Sequence, residues 1–193
     1  MILAFSTSSA MISVAAVSEN GEVLWSQSRQ APLAASAACL SMLDQMKLDT
    51  GLTPADAESF VADMGPGSFT GVRVGVTLAK TFGFLYGKPV AGASSFDLIS
   101  KTDVVALPSK KGEFFVRRPG QEAIRSTNLP SEGVVGFGPG VEPQVYPSAS
   151  RFGSIWHDLQ LVSATEFVPV YLIEPSISIP KVPYAVIAKP EAS

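Results

Sequence analysis

Apolar and polar positions change rhythm several times along the chain, and each change marks an element. Ile2 to Phe5 is a continuous apolar run followed by the hydroxyl run Ser6-Thr7-Ser8-Ser9, which predicts a buried strand ending in a polar turn. Met11 to Val17 and Glu22 to Ser28 flank Asn20-Gly21, a dipeptide that suits the positive-φ positions of a tight hairpin. From Pro32 to about Leu48 the period becomes helical: Cys39, Met42, Leu43 and Met46 follow the i, i+3, i+4, i+7 template, and Leu33, Ala37 and Leu40 form a second apolar track. Thr53-Pro54 predicts a short helical turn, and Ser59 to Met64 a second strand.

The segment Gly65-Pro66-Gly67-Ser68-Phe69-Thr70-Gly71 interrupts this pattern and leads into a helix over about Thr70 to Gly87. In that helix Gly71, Gly75, Ala79, Gly83 and Gly87 recur every four residues, while Val72, Val76, Leu78, Phe82, Phe84 and Leu85 cover the rest. Glycine inside a helix costs about 1 kcal/mol relative to alanine, so a ridge of this kind predicts compensation by close packing, against a sheet or against another helix. Farther on, short strands are predicted at Lys88–Ala93, Asp103–Leu107, Gly112–Arg118, Val134–Gly138 and Pro169–Ile173. Helical starts are predicted at Ser94 and Ser148, and a proline-rich tail follows residue 175. The pattern breaks between Ser100 and Asp103, which divides the chain into residues 1–101 and 102–193.

The glycine turn offers two kinds of chemistry. Backbone N–H groups at a helix start attract anions, so Gly65, Gly67, Ser68, Thr70, Gly71 and Arg73 are candidates for an anion cradle. The phosphate loop of nucleotide hydrolases needs Gly-Lys-Ser/Thr, however, and here Gly71 is followed by Val72-Arg73; the spacing also fails the dinucleotide fingerprint. Asp63, directly before the turn, can face a metal-bridged phosphate or accept a loop N–H. The other reading is steric: the turn sets a helix whose small ridge meets a partner. That reading makes Leu33, Leu40, Leu43, Val72, Gly75, Val76, Ala79, Phe82 and Gly83 interface candidates.

Composition narrows the field. With 46% hydrophobic residues in 193 the chain can bury a substantial core, and a net charge of −3 from 14 basic and 17 acidic side chains argues against gripping nucleic acid by itself. The single Cys39 excludes an internal disulfide and fits a reducing compartment, with the cytoplasm expected; no segment is long and apolar enough to predict a membrane span. His157 is the only histidine, and no His pair, nucleophile-base pair or metal-ligand spacing is present, so neither a catalytic set nor a metal site is predicted.

Several segments together resemble one family. Ile2-Leu3-Ala4-Phe5-Ser6-Thr7-Ser8 resembles its opening I-L-A-I-D-T-S, Gly65 to Gly71 matches its G-P-G-S-F-T-G, and Val72-Arg73-Val74-Gly75 continues as its V/L-R-I-G. Pro89 to Phe96 resembles P-V-V-G-V-S-S-L, and Pro169-Val170-Tyr171-Leu172 resembles a closing P-V-Y-L. The family is TsaB (YeaZ), of bacterial tRNA threonylcarbamoyladenosine biosynthesis. The resemblance implies an α/β, two-lobed fold of the actin-like ATPase and sugar-kinase superfamily with mixed sheets, the second lobe here abbreviated. It also implies a non-catalytic partner of the TsaD enzyme, pairing with TsaD or with itself through the two helices of the first lobe and recruiting the ATPase TsaE. Contact with tRNA would run mainly through the partner. No cofactor of its own is implied, and the interface of the complex is left open as a place for ATP.

The chain departs from the family at three places. Ser6 replaces the opening Asp, which argues against nucleotide hydrolysis; Ala34-Ala35-Ser36-Ala37 replaces a polar R-H-S-E; and Pro108 to Phe115 replaces D-A-R-x-G-E-V-Y. Two other readings stay open: a nucleotide-binding or peptidase-like enzyme of the same superfamily, and a diverged homodimeric binding protein.

Overall fold

A computed structural model describes residues 1–168 apart from 32, 111 and 132. The strand expected at 169–173 and the proline-rich tail lie outside the described residues.

The first sheet has five strands in the order β3-β2-β1-β4-β5: β1 (Ile2–Ser6), β2 (Met11–Val17), β3 (Val23–Gln30), β4 (Ser59–Asp63) and β5 (Val90–Ala93). β1, β2 and β3 form an antiparallel meander, as the Asn20-Gly21 turn predicts, and β4 and β5 join parallel to β1. β1 and β4 are buried at every position because both faces of the sheet are covered, which explains their unbroken apolar runs.

Two helices lie side by side on one face. α1 (Ala35–Thr50) covers β2 and β3, and α2 (Phe69–Tyr86) covers β1 and β4. α1 seats Ala38, Cys39, Met42, Leu43 and Met46 in the core, matching the predicted template. α2 begins where the hydroxyl of Ser68 accepts the Gly71 N–H at 3.2 Å. It ends at Gly87 in the left-handed region, whose N–H bonds the carbonyls of Gly83 and Phe84.

The opposite face is closed by a segment from far along the chain. Ala149, Phe152 and Ile155 pack on Ile2, Ala4, Ala15, Val17 and Val61. The helix expected from Ser148 to Leu159 is broken into three short turns, a single α-helical turn α3 (Phe152–Ile155) between two 3₁₀ turns. Beyond it Val162 bridges Val90, and Ala164 and Phe167 enter the core under α2.

The second sheet has the order β8-β7-β6-β9, from β6 (Val104–Pro108), β7 (Phe114–Arg117), β8 (Ile124–Ser126) and β9 (Val134–Gly136). Its β8 has no counterpart among the expected strands. The link between the sheets, residues 94–100, forms a chain of turns instead of the expected helix, with the Ser94 hydroxyl accepting the Phe96 N–H. Leu98 points into the first lobe while Phe96 and Ile99 point into the second. Arg117 fastens this link by donating to Asp97 Oδ1 at 2.5 Å and to the Ser100 carbonyl at 2.7 Å.

Candidate functional site

β1, β4 and β5 run parallel and adjacent, so their C-terminal ends converge, and each delivers a polar group to one point. β4 ends in Asp63, whose side chain is completely buried. Its Oδ2 accepts from Ser6 Oγ at 2.8 Å and Ser8 Oγ at 2.6 Å, and its Oδ1 from Ser95 Oγ at 2.5 Å and the Gly65 N–H at 2.9 Å. Four donors fill the lone-pair positions of one carboxylate. Burial pushes the Asp63 carboxyl above its ordinary value, against the pull of these four hydrogen bonds.

The glycine turn wraps the same point. Ser68 donates its N–H to the Ser8 carbonyl at 2.6 Å, and Ser95 donates its N–H to the Gly65 carbonyl at 2.7 Å. A Cβ on Gly67 would overlap the Ser8 carbonyl oxygen, and one on Gly71 the Thr7 carbonyl oxygen. Thr7 then clasps the first turns of α2, its hydroxyl donating to the Gly71 carbonyl at 2.7 Å and accepting the Gly75 N–H at 3.1 Å. Glycines stand in this turn because the Thr7-Ser8 backbone occupies the concavity they form. Of the cradle expected for an anion, the space at Gly67 and Gly71 is thus filled by the chain's own β1 turn, and that at Gly65 faces Val72. Ser68 and Thr70 are exposed at its rim, and Arg73 lies over the Phe69 ring at 5.3 Å.

The residues around Asp63 do not fit a metal-bridged phosphate, since the carboxylate that would carry it accepts four internal donors. The loop N–H alternative for Asp63 is the one the geometry supports. Ser6, standing where a carboxylate is usual in the resembling family, turns what would be like-charge repulsion into a hydrogen bond and also reaches the Pro147 carbonyl at 3.1 Å. Among the described residues no three His, Cys, Asp or Glu side chains come together as metal ligands, and no helix is long and apolar enough to cross a membrane. His157 is exposed beside Trp156. Cys39 is buried, which pushes its thiol up to about 12.

The expected interface residues divide in two. Leu43, Val72, Gly75, Val76, Ala79 and Gly83 are buried within the chain, and Phe82 stacks between Phe5 and Phe60 at 6.1 and 5.6 Å. The small-residue ridge of α2 therefore corrects the expectation: it faces the chain's own β1 and β5, where Thr7 lies against Gly75 and Val90 against Gly83. Leu33 and Leu40, by contrast, are exposed, Leu33 completely. They belong to an outer apolar surface with Leu48 of α1 and with Phe69, Phe84 and Leu85 of α2; Leu48 is 79% and Phe84 75% exposed. Between the helices runs a groove of about 290 Å³ lined by Ser36, Thr70, Arg73, Val74, Thr77 and Leu78.

The sequence alone does not mark Ser8 and Ser95 as partners of Asp63. Their partners lie 55 and 32 residues away, and the one available signal was hydroxyl runs at the ends of two apolar strands flanking that of Asp63.

A family model described as TsaD, tRNA N6-adenosine threonylcarbamoyltransferase, matches residues 29–111, under half of the chain. A protein of Bacillus subtilis named tRNA threonylcarbamoyladenosine biosynthesis protein TsaB is 42% identical over 52 residues, 27% of this chain and 23% of that one. The protein of the same name from Haemophilus influenzae is 31% identical over 96 residues, 45% of this chain and 41% of that one. The matched regions thus span from about a quarter to two fifths of these relatives. A crystal structure from Pseudomonas aeruginosa, described as similar to the peptidase YeaZ, superposes with a TM-score of 0.74 at 20% identity, covering 89% of this chain and 99% of that one. With its two mixed sheets the chain has the two-lobed actin-like fold.

Proposed function

We propose that this chain, which belongs to the TsaB/YeaZ family, is a non-catalytic subunit of the machinery that installs threonylcarbamoyl on the tRNA adenosine next to the anticodon. It holds a TsaD-type protein through the outer faces of α1 and α2. The observation that carries the reading is the contrast at the glycine turn: Asp63, the one buried carboxylate among the described residues, has all its acceptor positions filled internally, while the helices behind it expose Leu33, Leu40, Phe84 and Leu85. The turn fixes the position of α2 from within, and α2 presents its far side.

In this reading the transfer chemistry and the tRNA contacts belong to the TsaD-type partner, a TsaE-type ATPase joins the assembled pair, and ATP sits at the joint surface. Co-expression with the TsaD of the same organism, followed by mass measurement of the purified complex, tests it. A one-to-one complex is expected, with no phosphate release from ATP by this chain alone. Failure to co-purify, or ATP turnover by the isolated chain that Asp63→Asn removes, would overturn the reading.

A further inference from the structure

β3 forms an open border of the first sheet. It is eight residues long and carries one charge, Arg29, with no proline or lysine to discourage pairing. Ala31 donates its N–H to the Ala10 carbonyl directly opposite, so residues 25, 27 and 29 spend their main-chain groups on β2 while Ser26, Ser28 and Gln30 turn theirs outward.

We propose that two copies of this chain join edge to edge through β3, antiparallel about a two-fold axis at Gln27, into one ten-stranded sheet. In this register Ser26 and Ser28 of one copy exchange main-chain hydrogen bonds with Ser28 and Ser26 of the other. Trp25 falls opposite Arg29, and Gln27 opposite itself, with side chains on the α1 side of the sheet.

The side chains there are self-complementary. Trp25 donates its indole N–H to Asp49 at 2.9 Å, and bonds from Trp25 and Gln45 hold Asp49 below its ordinary value, so it stays ionised. Arg29 of the second copy meets both an aromatic ring and this carboxylate; in its own chain it makes a long 3.5 Å contact with Ser41. The Gln27 amide oxygen is shielded from water without a hydrogen-bond partner, and a second Gln27 supplies an N–H.

The helices are spaced for the same arrangement. α1 sits over β2 and β3, so two α1 helices come about 10 Å apart across the axis, a helix-packing distance. The flank of α1 that leads to Ser41 carries Ala34 and Ala37, small and exposed. The first turns of α1, which carry no charge from Ala35 to Leu43, become a contact between copies.

The pairing does not depend on the association with a TsaD-type protein, which uses the outer faces of α1 and α2, and the two can fail separately. Residues facing each other at a non-hydrogen-bonded antiparallel position are close enough for a disulfide. Full-length Gln27→Cys should therefore cross-link to a dimer under mild oxidation, whereas Ser26→Cys, which faces Ser28, and Thr127→Cys should do so far more slowly. Because Ser26 and Ser28 are exposed, Ser26→Lys/Ser28→Lys should fold yet weaken dimerisation about tenfold or more by like-charge opposition. Mixing it with Ser26→Glu/Ser28→Glu should restore the dimer, and Leu40→Asp should leave it intact. A monomeric native chain, a dimer untouched by the lysines, or Gln27→Cys cross-linking no faster than Thr127→Cys would overturn the proposal.

Discussion

Along α2, Gly71, Gly75, Ala79 and Gly83 turn toward the sheet, whereas Phe69, Arg73, Thr77 and Phe84 turn toward solvent, and the two faces tolerate substitution differently. The inner face has no spare volume because the β1 turn fills it. The outer face mixes Phe69, Phe84 and Leu85 with Thr70, Arg73 and Thr77 and is not packed. One helix therefore meets two environments, the packed sheet on its inner side and solvent on its outer side.

The largest effect is expected on the inner face. Gly71→Ala forces a methyl into the Thr7 carbonyl oxygen, which cannot move without β1, and should cost about 3 kcal/mol or more. Chemical denaturation measures it; a midpoint equal to wild type would mean that the turn and β1 are not in contact. Asp63→Ala strands a buried N–H and three hydroxyls and should cost about 3 kcal/mol. Asp63→Asn should cost nearer 1 kcal/mol, since the amide oxygen still serves Gly65 and Ser95 while Ser6 and Ser8 can turn to accept from the nitrogen.

The same pair of chains gives a pH test. Burial sets the folded-state value of Asp63 above 3.8, so the folded chain holds this proton more tightly than the unfolded chain. Relative to Asp63→Asn, wild type should lose stability as pH rises from 3.8 through the folded-state value and then level off. Urea midpoints across an acid-to-neutral series check the sign, and a wild-type advantage that grows with pH would refute it. The smallest effect on stability is expected outside: Leu40→Asp and Phe84→Asp should shift it by no more than about 0.5 kcal/mol. Both should nonetheless lose a TsaD-type partner in co-purification, and retention by both would move the partner surface elsewhere.

Much of the first lobe was readable from local pattern. The Asn20-Gly21 hairpin, the core stripe from Cys39 to Met46 and the hydroxyl cap on α2 each depend on neighbours within a few residues, which periodicity and turn chemistry report directly. The direction of the glycine ridge was not readable, because close approach demands small residues equally from a strand and from a second helix. Thr7, which decides between them, is 64 residues from Gly71. The hub at Asp63 was half visible: its loop N–H is two residues away, whereas its serines come from two other strands. The turns at 94–100 send Leu98 into one lobe and Phe96 and Ile99 into the other, contacts with residues far along the chain that local pattern does not report.

The return of Ala149, Phe152 and Ile155 to the first sheet has a consequence for how the protein is made. As the chain leaves the ribosome, strands β1 to β5 emerge with one face covered by α1 and α2 and the other still bare. At about 5 to 20 residues per second, the second lobe takes several seconds to follow before residue 152 can close that face. During that interval the nascent chain shows an apolar sheet surface to whatever is nearby, so chaperone capture should peak after β5 has appeared and end once Phe152 is free to dock.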